Sequence, residues 1–258
     1  MKTLFLAWQD TPRESSSRLA TRGWYPIGRL DIETAQRPLY TFQYTNGALI
    51  AKQQAGFQPL DAFPRFERAY QSPELFPLFQ NRVPNPKRTD YPEFVKRLGL
   101  TVGNADPFEI LAISGGGRQT DNLEVFPKIQ KRRDGSFVVR FFLHGWRHVN
   151  VDSRDRLATL KEGDALRVAL ELNNPVTKAA VQLQTDGDYH MIGWAPRYLI
   201  TDMLRAMAEG AGDVHARAAK LNPPPAPYNQ RVLVELEGRF PADIEPMSTP
   251  EFEGIASK

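Results

Sequence analysis

A chain of 258 residues, 41% of them hydrophobic, is long enough for two ordinary domains with packed cores, and it has no apolar run of membrane-spanning length. The absence of cysteine excludes disulfides, thiolate metal sites and cysteine nucleophiles. With 33 basic against 30 acidic residues the net charge is only +3, too small by itself to argue for nucleic acid, and the start at residues 1–8 is apolar too briefly for a signal sequence, so a cytoplasmic protein is expected.

Residues 4–8 and 24–32 have the composition of strands, separated by a polar loop over 10–23 that holds Ser15, Ser16 and Ser17, a stretch open to phosphorylation on composition alone. Residues 40–44 alternate aromatic and β-branched side chains as a strand does, and Asn46-Gly47 then predicts a turn. From Pro59 to Pro86 the chain is punctuated by proline, which favours extended pieces and short turns over a long helix. Asp90 can cap a helix that runs to about Leu98 and stops at Gly99, and Asp106-Pro107 opens another that ends at Gly115-Gly116-Gly117. That glycine run lacks the lysine and Ser/Thr of a phosphate loop and follows a helix, so it is expected to be a helix stop and linker.

The second half begins with a short strand at 124–129, a turn at Asp134-Gly135 and a strand at 136–146. Leu166, Val168, Leu170 and Leu172 alternate with Arg167, Ala169 and Glu171 in the pattern of a half-buried strand, which Asn173-Asn174-Pro175 ends. Strands at 179–185 and 189–194 follow around Asp186-Gly187-Asp188, then a helix over 195–209 with one apolar stripe. Beyond it the alanine-rich stretch before Asn222 predicts a short helix, residues 231–236 a last strand, and the end from Ser248 a loosely held tail.

The order of strand, Asn-Asn-Pro, strand, Asp-Gly turn, "MIGWAPRYL" and helix, with "FVVRFFLHGWR" upstream, resembles the HIRAN domain over residues 137–209. The resemblance implies a small OB-like β-barrel that grips the end of a single DNA strand. In the N-terminal half "GRL", a strand ending at Tyr44, "ELFPLFQNRVPNP", "VKRLGL" and "DPFEILAISGG" succeed one another over residues 3–126 as in the N-terminal subdomain of HipA-like serine/threonine kinases. That subdomain also exists as a separate protein that restrains the kinase in three-gene toxin-antitoxin systems. No kinase catalytic loop or metal-binding Asp motif follows here.

The fold expected from both halves is an α+β N-terminal module at 1–124, a mainly β, OB-like barrel with one helix at 125–240, and an acidic tail at 241–258. Residues 118–148 carry seven Lys or Arg against three acids, so one end of the second module is basic. Arg147 and His148 match the HIRAN positions where an arginine and an aromatic meet the DNA end. Trp194 and Tyr198, and also Trp146, offer rings on which bases can stack, with core packing as the alternative. Lys178, Arg197 and the cluster Lys131, Arg132 and Arg133 offer cations to phosphates, the cluster being otherwise a charged hairpin tip.

The family motif continues after Asn-Asn-Pro with an aromatic and an aspartate where this chain has Val176 and Thr177. Losing the carboxylate removes an acceptor for a terminal hydroxyl, so weak selectivity for ends is expected. In the first module Leu75, Phe76, Leu78 and Phe79 are the candidate surface for docking a kinase, their alternative being internal packing. His144 and His148 would share a strand face but lack a third metal ligand. No nucleophile, paired-carboxylate or phosphate-loop pattern appears, so neither an enzyme nor a cofactor is expected. The function these readings imply is a non-catalytic antitoxin or regulatory adaptor that docks a HipA-like kinase and engages single-stranded DNA or DNA ends. The alternative is a free-standing DNA-binding protein of repair or phage defence.

Overall fold

A computed structural model describes residues 2–10, 23–33, 37–118, 120–210 and 213–256; the loop holding Ser15–Ser17 lies outside them. The chain has two antiparallel sheets and few helices, and it divides into two compact units. The first comprises Met1–Arg88, Asp106–Lys128 and Met247–Lys258, the second Thr89–Ala105 and Ile129–Pro246. Neither unit is one contiguous stretch: residues 89–105 belong with the second, and the C-terminal end belongs with the first.

In the first unit β1 (Lys2–Gln9) pairs with β2 (Trp24–Glu33), which pairs with β3 (Leu39–Tyr44). α1 (Asn46–Ala55) follows where a turn was expected at Asn46-Gly47. Gly47 is there for clearance, since a Cβ at that position would stand 2.1 Å from the Pro26 carbonyl oxygen. β4 (Tyr70–Ser72) and the single turn α2 (Pro77–Gln80) complete the proline-punctuated segment. α3 (Tyr91–Arg97) belongs to the second unit, and Asp90 precedes it without the expected side-chain capping bond. α4 (Pro107–Ser114) is capped by Asp106, which accepts from the Phe108 N–H, and β5 (Leu123–Pro127) closes the order β4-β3-β2-β1-β5.

Aromatic side chains fill this unit's core. Phe42 stacks on Phe63 with ring centroids 3.9 Å apart, and the Tyr44 hydroxyl donates to the Phe63 carbonyl while accepting from the Leu60 N–H, both at 2.7 Å. Burial pushes the Tyr44 phenol up to about 12, so it stays a donor at any physiological pH. The C-terminal end is not loosely held. Phe252 packs 4.9 Å from Phe5, the Asn46 N–H donates to the Glu253 carbonyl, and the Ile255 N–H donates to Tyr44, so an apolar anchor and two ladder-like bonds fix it.

In the second unit β6 (Ser136–Phe142), α5 (Val151–Ala158), β7 (Ala165–Asn174), β8 (Lys178–Thr185), β9 (Met191–Trp194), α6 (Ile200–Gly210), β10 (His215–Leu221) and β11 (Val232–Arg239) succeed one another. The strand order is β6-β11-β10-β7-β8-β9. Just past β6, His144 and Trp194 exchange backbone hydrogen bonds at 2.9 Å, which links the two ends of that order. β10 replaces the helix expected from alanine content: Ala216 and Ala218 are buried between β7 and β11, where small side chains fit and tertiary packing overrides propensity. Val95 and Leu98 of the α3 segment are fully buried, and Gly99 lies against Leu233 of β11.

Candidate nucleic-acid interface

β6 ends at Phe142, and the chain turns at Gly145, whose φ of +68° suits glycine, into a tight turn over Trp146–His148. That bend takes His144 and His148 off a common strand, so the strand face they were expected to share is not formed. Among the described residues no group of three or more His, Asp or Glu could hold a metal ion. Trp194 props the turn from below. A Cβ on Gly145 would stand 2.5 Å from its ring, and its indole N–H donates to Glu171 at 2.8 Å.

Glu171 also accepts from Asn174 and Gln182, both at 3.0 Å. Burial pushes its carboxyl up, but the three bonds, from Trp194, Asn174 and Gln182, outweigh that and hold it below the usual glutamate range. Asn174 in turn accepts from the Val176 and Thr177 N–H groups and the Thr177 hydroxyl, which fixes the turn between β7 and β8. The Asn-Asn-Pro motif and the tryptophan of "IGW" thus meet in one network beneath the turn that carries Arg147 and His148.

The exposed side of that turn is aromatic and cationic. The Trp146 indole N–H donates to the Tyr228 carbonyl at 2.9 Å, and the two rings lie 5.6 Å apart. Tyr228 remains 63% exposed, and the Arg231 guanidinium stands 5.4 Å from its ring centre. Arg231 Nε is buried without a hydrogen-bond partner. Among the described residues Arg147 donates to the neighbouring His148, at 3.1 Å. By contrast Arg140 and Arg217 share Glu235, Arg156 pairs with Asp188, and Arg167 with Asp186. Arg147 and Arg231 have no carboxylate partner among the described residues; Arg147 is exposed, and Arg231 is half-buried with its guanidinium against Tyr228.

Of the residues singled out from the sequence, Arg147, His148 and Trp194 come together here, Trp194 as the support beneath the turn. Tyr198 does not offer a stacking face: it is only 7% exposed, in the tight turn Arg197–Leu199, where Arg197 is partly buried. Lys178, exposed and with φ +66°, sits at the β7–β8 tip, four residues along β8 from the partner of Trp194, or about 13 Å of strand.

Lys131 is not a phosphate ligand in this arrangement. Its ammonium donates to the carbonyls of Pro241, Ala242 and Ile244, tying down the segment after β11. Arg132 and Arg133 are exposed but precede β6, so the length of that strand, about 20 Å, separates them from Arg147. Sequence reasoning missed Tyr228 and Arg231, which emerge from the segment Asn222-Pro223-Pro224-Pro225-Ala226-Pro227; an exposed aromatic just after a proline run, followed by arginine, was the available signal.

In the first unit the proposed docking residues turn inward. Phe79 is fully buried 6.0 Å from Phe42, Phe76 meets Phe63 edge-on at 5.1 Å, and Leu75 and Leu78 pack partly buried against the same core. Four aromatic and aliphatic side chains within five residues are what this small sheet needs to cover one face, so internal packing wins.

No family model matches the chain, and no curated protein matches it. Among solved structures, a structural-genomics protein from Lactobacillus plantarum is similar at 20% identity with a TM-score of 0.30, over 41% of this chain and all of that one, a likeness too slight to carry an argument.

Proposed function

We propose that this protein is a non-catalytic nucleic-acid binder whose second unit holds single-stranded DNA at the Trp146–Tyr228 surface, with Arg147 and Arg231 on its phosphates. The observation that carries this reading is the pairing of cations that lack a carboxylate partner with an exposed Tyr228 anchored on the half-buried Trp146. Such a combination suits single strands: rings stack on any base, and cations track the backbone without reading sequence. The linkage of the strand order through His144 and Trp194 supports an OB-like reading of the unit, in keeping with its likeness to HIRAN domains over residues 137–209. An α+β kinase-regulating first unit, and with it the antitoxin or adaptor role, rests on the likeness to HipA N-terminal subdomains alone. A free-standing DNA-binding protein is the reading that needs the interface only.

The test is a titration of the purified full chain with a fluorescent single-stranded oligodeoxythymidine at several salt concentrations. Binding should weaken as salt rises, and replacing Arg147 and Arg231 together by Ala should flatten the slope of log affinity against log salt by about 1.4, two phosphates' worth. An unchanged slope would count against the assigned cations. Strands ending in a 3′ hydroxyl and a 3′ phosphate should bind alike, because Val176 and Thr177 supply no carboxylate acceptor. Strong preference for the hydroxyl would mean that another group serves that end.

A further inference from the structure

The second unit contains a helix that its own stretch of sequence does not supply. Residues 89–105 leave the first unit's sequence after Arg88, pack into the second unit and return at Asp106. They are firmly seated: Val95 and Leu98 are fully buried, and Gly99 lies against Leu233. The last turn of α3 is fastened to the segment that displays Tyr228. Arg97 Nε donates to Gln230 Oε1 at 3.2 Å, and Asn222 Nδ2 donates both to the Arg97 carbonyl at 3.0 Å and to the Gln230 carbonyl at 2.7 Å. Gln230 lies between Tyr228 and Arg231 in sequence and in the same tight turn as Tyr228. Arg97 has no carboxylate partner, and the two terminal nitrogens of its guanidinium have no hydrogen bond among the described residues. The neighbouring Lys96 is exposed.

We propose that Arg97 is a further phosphate-binding residue, which extends the interface beyond Tyr228 and fits the protein to a single strand of several nucleotides. The inference rests on the nucleic-acid reading of the Trp146–Tyr228 surface. A lone base on Tyr228 needs only the local pair of rings and Arg231. A strand that continues past it carries a phosphate at every nucleotide, and on the α3 side a cation stands next to that turn: Arg97, whose side chain is bonded to Gln230 and whose backbone carbonyl is bonded to Asn222. Because α3 is encoded within the first unit's sequence, a second unit cut out as residues 129–246 would lack this part of the interface.

The experiment uses the full chain and two oligodeoxythymidines, one of about three nucleotides and one of about twelve, chosen to fall below and within the span of a typical single-strand site. Arg97→Gln should weaken the longer strand several-fold and lower its salt slope by about 0.7, one phosphate, while leaving the short strand unchanged. Arg97→Lys, which keeps the charge, should keep the slope, and a purely structural role for Arg97 would move thermal stability without moving the slope. If wild type binds the longer strand and Arg97→Gln binds it with the same affinity and slope, or weakens both strands equally, this inference is overturned and the Tyr228 reading stands. If wild type binds neither strand even at low salt, the nucleic-acid reading itself fails, and this inference with it.

Discussion

The Trp194 ring occupies the space that a side chain on Gly145 would need, 2.5 Å from the position of its Cβ. The contact couples the end of β9 to the turn that carries Trp146, Arg147 and His148. Gly145 is also held at φ +68°, so Gly145→Ala would meet both backbone strain and a ring that cannot withdraw. We expect a loss of about 1–3 kcal/mol, measured by urea denaturation, together with weaker DNA binding as the turn is displaced. A variant as stable as wild type would mean that Trp194 is mobile and not the prop described.

Glu171 makes acid stability measurable at one residue. Its folded carboxyl is held below the usual glutamate range, so the ionised form is the one the fold stabilises. That contribution is complete above the ordinary glutamate pKa and is lost as pH falls from there through the lowered folded value. Wild type should therefore lose part of its stability across that acidic window. Glu171→Gln should show a smaller loss there and a lower stability at neutral pH; equal pH profiles would remove Glu171 from the network.

The C-terminal anchor is a structural part of the first unit. Phe252→Ala should cost about 3–5 kcal/mol, because the ring leaves a cavity between Phe5 and Phe126. Truncation after Gly117 would strip the anchor and β5 together, so kinase capture has to be tested with the full chain. A pulldown of the full chain from its native host should recover a HipA-like kinase if the adaptor role holds. Recovery of nucleic acid alone at native expression levels would leave the free-standing binder.

Much of this arrangement is legible in the sequence, and the gaps have physical causes. The alternation from Leu166 to Leu172 gives β7 because one of its faces is buried at its start, and Asp106-Pro107 gives α4 because capping chemistry is local. α1 is hidden by Gly47, which serves a close approach to Pro26 that only the tertiary fold creates. β10 is hidden by its alanines, whose propensity favours helix while their size suits a crowded sheet interior. Arg147 stands out in the sequence as a cation just past the apolar strand that ends before Gly145. Tyr228, Arg231 and Arg97 do not, because they meet only when a proline-rich connection and a helix from far upstream fold onto the same edge of the second unit.

We propose above that the Trp146–Tyr228 pair is a stacking surface for unpaired bases. It is tested most directly by measuring the affinity of the full chain for single-stranded oligodeoxythymidine, in low salt, for wild type, Tyr228→Ala and Tyr228→Trp. Tyr228→Ala should lose about 1–3 kcal/mol of binding, Tyr228→Trp should retain it, and neither change should lower thermal stability appreciably, since the ring is mostly exposed. Equal affinity of wild type and Tyr228→Ala, or no binding by wild type, would contradict it.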